Sequence, residues 1–250
     1  MTPKNKIPGP FSAIVCAAGS SSRMGGKVRK PYLSLRGKPI LAWTLAALAR
    51  LPELEQIVLV TRPDDRAMAL AAAKEAQLPR RVRIDTADGG ARRQDSVFNG
   101  LKATRPDAKL VLIHDAARPF PSKNALEQVC ARASEVGAAI LSCRVRDTIK
   151  KERAGSNTLI ETTVPRAGLW QAQTPQVFRR ELILDCFEKL EMMAPDKEMT
   201  DDAAICEYFQ HEVALVESSA SNFKVTQPED LDIAEAFLKS GLVEWLEINE

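Results

Sequence analysis

Histidine is almost missing from this chain: His114 and His211 are the only two among 250 residues. A Ser-His-Asp triad or a histidine-rich zinc site therefore has little to be built from. The five cysteines (Cys16, Cys130, Cys143, Cys186 and Cys206) are odd in number, lack CxxC spacing and mostly sit in apolar runs. They read as buried free thiols of a reducing compartment. No apolar run approaches the roughly 18 residues of a membrane span, and the opening MTPKNKIPGP has no apolar h-region. A cytoplasmic protein without a membrane partner is expected. The net charge of +2 is too small to imply a nucleic-acid surface. Repeats and low-complexity tracts are also absent.

Three phosphate or hydrolase motifs fail by inspection. The Walker pattern G-x-x-x-x-G-K-[ST] fails because Met24 stands five residues after Gly19 and Val28 follows Lys27. The dinucleotide fingerprint fails because three serines follow Gly19, and Gly19-Ser20-Ser21-Ser22-Arg23 lacks the last glycine of a nucleophile elbow.

What is present is an ordinary globular composition, 45% hydrophobic and 27% charged, with an uneven distribution of positive charge. Between Ala17 and Leu41 stand Arg23, Lys27, Arg29, Lys30, Arg36 and Lys38 with no carboxylate among them. Such a cluster repels itself unless an anion lies between its members. A second basic group occurs in ARRQ at residues 91–94.

Apolar runs alternate with helix-period segments along the chain. FSAIVCAAG, EQIVLVT, RVRID, KLVLIHD, GAAILSCRV and EVALVE read as strands. PILAWTLAALARL, DRAMALAAAKEAQ, DSVFNGLKAT with Asp95 as its cap, KNALEQVCARASEV, RRELILDCFEKLE, TDDAAICEYF and PEDLDIAEAFLKSG read as helices. The alternation predicts a single α/β, Rossmann-like domain over residues 1–250, its mostly parallel central sheet covered by helices on both faces. Loose tails are expected at about 1–10 and 242–250. The polar stretch at about 145–165 breaks the pattern and reads as a projecting β-hairpin arm. An arm that cannot bury its own apolar side chains needs a partner surface, so a homodimer is expected.

The loop AAGSSSRM followed by Lys30-Pro31 resembles the nucleotidyltransferase signature, in which a small-residue loop wraps an NTP triphosphate. Further along, DGGARRQDSV (88–97), HDAARPF (114–120), RDT (146–148), PRAGLWQAQTPQ (165–176), TDDA (200–203) and NFKVT (222–226) follow in order. Over residues 12 to 240 the chain thereby resembles the 2-C-methyl-D-erythritol 4-phosphate cytidylyltransferase family.

That resemblance implies transfer of CMP from CTP to a polyol phosphate with Mg²⁺ or another divalent cation. It assigns Arg23, Lys30 and Lys224 to stabilise charge on the α-phosphorus, and Asp115 to hold the metal. Ala17, Ala18 and Gly19 would bring backbone N–H groups to the phosphates. Backbone groups at Gly89, Gly90 and Ala116, with Ser96 nearby, would select the base. Thr148, Arg166 and Thr174, with Arg118, Thr200 and Asp201, would bind the acceptor in a site shared between subunits. His114 is expected to be a packed or hydrogen-bonded neighbour rather than a ligand.

The chain departs from the family pattern at Ala91, where an acidic residue is commoner, at Arg29, often proline, and at Pro165, usually aspartate. Alternative readings are a ribitol 5-phosphate cytidylyltransferase, a sugar-1-phosphate nucleotidyltransferase using UTP or GTP, and a non-catalytic nucleotide-binding module. The PRAGLWQAQTPQ segment favours the methylerythritol enzyme over the first, and the lack of a "GTR"-like loop disfavours the second. The presence of all three expected transition-state cations disfavours the third.

Overall fold

The computed structural model describes residues 9–19, 29–155 and 158–241. Arg23, most of the basic loop and the last nine residues lie outside them. The strands are β1 (Phe11–Cys16), β2 (Ser34–Leu35), β3 (Lys38–Pro39), β4 (Leu54–Thr61), β5 (Arg83–Asp88), β6 (Leu110–Asp115), β7 (Ala138–Arg144), β8 (Ile149–Glu152), β9 (Ile160–Val164), β10 (Trp170–Arg179) and β11 (Ala214–Glu217). The helices are α1 (Ile40–Leu48), α2 (Arg66–Glu75), α3 (Arg93–Lys102), α4 (Lys123–Val136), α5 (Arg180–Met193), α6 (Asp202–Tyr208) and α7 (Pro228–Lys239).

Seven strands form one sheet in the order β11-β7-β10-β6-β1-β4-β5. Every pairing is parallel except those of β10, which runs antiparallel between β6 and β7. The expected architecture is thus present with one addition, since β10 arises from a segment read for its motif rather than as a strand.

Period-two alternation along the strands produces two cores. Phe11, Ala13 and Val15 of β1 pack on one face with α1, α2 and α4, whose Leu45, Ala69 and Val129 meet them. Ile14 turns the other way, with Val111, Ile113 and Phe178, onto α3, α5 and α6. A third cluster seats α7 against Trp43 and Phe120. Gly100 lets α3 lie close on the sheet, because a Cβ there would come within 2.6 Å of Ile14 Cγ2 and 2.8 Å of Val60 Cγ2.

The start of α3 corrects the reading of Asp95 as its cap. The helix opens at Arg93 with Arg92 as N-cap, and Asp95 closes a capping box by accepting the Arg92 N–H at 2.9 Å. Their shared parallel direction delivers the carboxyl ends of β1, β4, β5 and β6 to one edge, where α/β proteins place their ligands.

Strands β8 and β9 pair antiparallel as a separate two-stranded sheet, Ile149 opposite Val164. Leu159 and Ile160 at this arm stand more than half exposed. Among the described residues, no helix is long and apolar enough to cross a membrane.

Candidate active site

Two cavities open at that sheet edge and share one wall. The first, about 580 Å³, is lined by Ala18 and Gly19 after β1, by Arg62 and Pro63 after β4, and by Gly89–Arg93 with Ser96 at the start of α3. The second, about 350 Å³, is lined by Arg118, by Ala172–Thr174 and Gln176 of β10, and by Thr200 and Asp201 before α6. Arg93, Asp115 and Lys224 line both.

Asp115 ends β6 with its carboxylate at this junction. Its Oδ2 takes Lys224 Nζ at 3.1 Å and Arg118 Nε at 3.2 Å. Burial alone would favour the neutral acid, but the Lys224, Arg118 and Arg93 charges outweigh it and hold the carboxyl well below the usual range. Both contacts use Oδ2, and no hydrogen bond to Oδ1 is made among the described residues. A buried, ionised carboxylate with one oxygen uncommitted suits a hard divalent cation shared with phosphate oxygens.

The loop from 114 to 118 is fixed by a relay of hydrogen bonds. The Asp115 N–H donates to Thr174 Oγ1 at 3.1 Å, and that hydroxyl lies 2.9 Å from His114 Nδ1. His114 Nε2 lies 3.0 Å from the Arg118 carbonyl. A neutral imidazole with its proton on Nε2 satisfies the whole chain, Nδ1 accepting from Thr174 and Nε2 donating to the carbonyl. Complete burial lowers the His114 pKa to about 4, which keeps the ring neutral. The expectation of a packed, hydrogen-bonded neighbour is met. Thr174 lines the second cavity, but its hydroxyl already serves this relay.

Lys224 is carried by a loop that Asn222 anchors. Asn222 Nδ2 donates to Thr174 O at 2.9 Å and to Gln173 Oε1 at 3.0 Å, and its carbonyl accepts from Arg118 Nη1 at 2.8 Å.

Arg93 was noticed in sequence only as part of a basic group, yet it joins the two cavities. It makes a two-point pair with Asp202, Nη1 to Oδ1 at 3.0 Å and Nη2 to Oδ2 at 2.7 Å. Burial opposes the arginine's charge, but the Asp202 carboxylate holds its pKa above the ordinary value, while burial pushes the carboxyl of Asp202 itself upward. The partners are 109 residues apart, so nothing local in the sequence announces the pair. Asp201 serves α6 as N-cap, accepting from Ala204 N at 2.9 Å, while Gln176 Nε2 donates to its other oxygen at 2.8 Å.

One expected nucleotide contact needs correction. The Ala17 N–H does not face the cavity: it donates to Val60 O at 2.8 Å, completing the sheet. The Gly89 N–H donates to Thr61 O, the Ala116 N–H to Cys16 O and the Gly90 N–H to Ser96 Oγ. At Gly89 and Gly90 the backbone groups left for a base are therefore the carbonyls. Gly89 is required for space, since a Cβ would lie 2.4 Å from Ala18 Cβ. Cys16 lines the floor, where burial pushes its thiol up to about 12 and leaves it inert as a nucleophile.

Lys30 opens a short 3₁₀ turn and lines neither cavity; its charge is felt by Asp230 at the start of α7. Arg23 lies outside the described residues. Thr148 and Arg166 belong to the arm region and also line neither cavity, Arg166 Nη1 donating to Arg146 O.

Comparison with known proteins gives one answer. A sequence model of the 2-C-methyl-D-erythritol 4-phosphate cytidylyltransferases matches residues 11–240. The chain is 40% identical over 233 residues to the enzyme of that name from Desulforamulus reducens, covering 92% of this chain and 97% of that one. It is 39% identical over 227 residues to the chloroplastic enzyme of Oryza sativa subsp. japonica, covering 91% of this chain and 74% of the relative. The crystal structure of a 4-diphosphocytidyl-2C-methyl-D-erythritol synthase from Anaerococcus prevotii superposes with a TM-score of 0.78 at 32% identity, covering 92% of this chain and 96% of that one.

The buried neutral His114 gives a testable acid response. An unfolded histidine takes up its proton near pH 6.5 and this one only near 4, so the folded state loses stability as pH falls through that interval. Thermal denaturation should show the midpoint dropping across this window in the parent protein and dropping less steeply in His114→Gln; equal slopes would contradict the assignment.

Proposed function

The chain belongs to the 2-C-methyl-D-erythritol 4-phosphate cytidylyltransferase family, and from that premise we propose how its own residues perform the transfer. The reaction joins CTP and 2-C-methyl-D-erythritol 4-phosphate to give 4-diphosphocytidyl-2-C-methyl-D-erythritol and pyrophosphate, a step of non-mevalonate isoprenoid synthesis. An oxygen of the acceptor phosphate forms a bond to the α-phosphorus of CTP as the bond to the leaving pyrophosphate breaks. Two anions must be held together, and charge on the five-coordinate phosphorus must be balanced.

The observation that carries the reading is the shared wall of the two cavities. CTP occupies the larger and the acceptor phosphate the smaller, so that the α-phosphorus and its attacker meet beside Arg93, Asp115 and Lys224. Lys224 supplies positive charge at the reacting phosphorus, with Arg23 and Lys30 reaching the triphosphate from the basic loop. Arg118, held by Asp115 and the Asn222 carbonyl, faces the acceptor phosphate. Asp115 would hold Mg²⁺ through its uncommitted oxygen together with phosphate oxygens; when bound, the ion neutralises phosphate charge.

Cytosine is chosen through carbonyl acceptors at Gly89 and Gly90, because the N–H groups of these two residues are engaged within the protein. Carbonyls accept from the exocyclic amine of cytosine and oppose the carbonyl that uracil has in its place. Ala91 brings no side-chain polar group to this contact, so the backbone makes it.

The arm reaches a second subunit in our reading, bringing Thr148 and Arg166 to the partner's acceptor cavity in a homodimer. Its exposed Leu159 and Ile160 support this, since a two-stranded hairpin is not stable alone. The free cysteines fit a cytoplasmic enzyme.

The direct test is pyrophosphate release with Mg²⁺ from CTP, UTP, GTP and ATP, each offered methylerythritol 4-phosphate, ribitol 5-phosphate or glucose 1-phosphate. Activity is expected only with CTP and methylerythritol 4-phosphate; preference for ribitol 5-phosphate would overturn the acceptor assignment. Sharing of the site is tested by mixing inactive Arg166→Ala and Lys224→Ala chains under exchange conditions. A shared site restores roughly a quarter of the parent activity, because half of the dimers then carry one intact site; no recovery would place each site within one chain.

A further inference from the structure

A second cluster of ligating groups lies between α5 and the turn that follows α6, lining none of the cavities described. Asp185 and Cys186 sit next to each other on α5, and His211 follows α6. One ligand atom from each, a carboxylate oxygen, the Cys186 sulfur and an imidazole nitrogen, all lie within 4.8 Å of one another. Cys206 on α6 adds a fourth candidate, since its thiol neighbours that of Cys186. We infer that these residues form a site for a soft divalent cation of the zinc class, with Cys206 or a water completing the set.

The donor chemistry selects the ion. Thiolate and imidazole favour zinc over the hard, oxygen-seeking magnesium of the active site, and a tetrahedral ion accepts such a mixed set. Tetrahedral bonding at 2.0–2.3 Å needs ligand separations of about 3.3–3.8 Å, so the groups close by roughly an ångström. The framework permits this. Cys186 is fixed and buried, whereas the Asp185 side chain is 49% exposed and His211 half-buried on a turn. Lys189, now 2.6 Å from Asp185, is 44% exposed and can yield its partner to the metal. The His211 ring makes no hydrogen bond among the described residues, while its backbone N–H donates to Cys206 O at 3.0 Å and holds the turn in place. Binding displaces the Cys186 thiol proton to solvent, so affinity rises with pH. A bound ion would clamp the far end of α6, whose first residue Asp202 pairs with Arg93.

The probe is cobalt(II), titrated into the metal-free full-length protein with zinc as competitor. One equivalent is expected to bind with a thiolate-to-cobalt charge-transfer band in the ultraviolet and the intense visible bands of a tetrahedral ion. Zinc should remove both and raise the thermal midpoint. His211→Gln and Asp185→Asn, both at accessible positions, should each weaken binding by at least tenfold, and Cys186→Ala should abolish the charge-transfer band. Asp115→Asn should leave the spectrum unchanged. Absence of a thiolate band, or a band unaffected by both His211→Gln and Asp185→Asn, would overturn the site.

Discussion

The carboxylate of Asp115 is the contact through which the rest of the site is organised. It sits at the end of a fully buried strand and draws Arg118 and Lys224, the latter 109 residues further along the chain, onto a single oxygen. Without it, three like charges, counting Arg93, would face one another at the boundary of two cavities. With it, they form an arrangement that tolerates burial and still carries excess positive charge. The relay through Thr174 and neutral His114 fixes the strand end on which the carboxylate stands.

The same logic explains why so many parts of the chain meet here. Carboxyl ends of parallel strands furnish the larger cavity, and the one antiparallel strand of the main sheet, β10, furnishes the smaller with Gln173, Thr174 and Gln176. Arg93 and Asp202 lock α3 to α6 across the junction. A two-point pair of this kind positions its elements strongly because the fully buried Asp202 carboxylate would be costly to leave unpartnered. The helices framing the cavities are therefore tied by charge as well as by apolar packing.

Much of this was legible in the sequence. Alternating apolar runs and helix-period segments located the other six strands of the main sheet, the arm and all seven helices, because burial on both faces of a parallel sheet leaves a continuous apolar signature. Asp115, Arg118 and Lys224 were found through ordered motifs whose residues the fold then gathers. β10 was missed because its start is polar and Pro175 interrupts it, which weakens any strand pattern. The Arg93–Asp202 pair was invisible because it depends on tertiary proximity alone. The role of Ala17 was misread because a small residue after a strand looks the same in sequence whether its N–H faces a ligand or completes the sheet. His211, one of only two histidines, gave no signal until the fold brought it beside Asp185 and Cys186.

The most direct measurement is turnover of CTP and 2-C-methyl-D-erythritol 4-phosphate by Asp115→Asn across a Mg²⁺ titration, with thermal denaturation run alongside. The amide keeps the shape and removes the charge that joins Arg118 and Lys224 and that, as proposed, would hold the metal. We expect turnover to fall roughly 10²-fold or more at every Mg²⁺ concentration while the protein stays folded. Turnover near that of the parent at ordinary Mg²⁺ would contradict the central place given to this carboxylate.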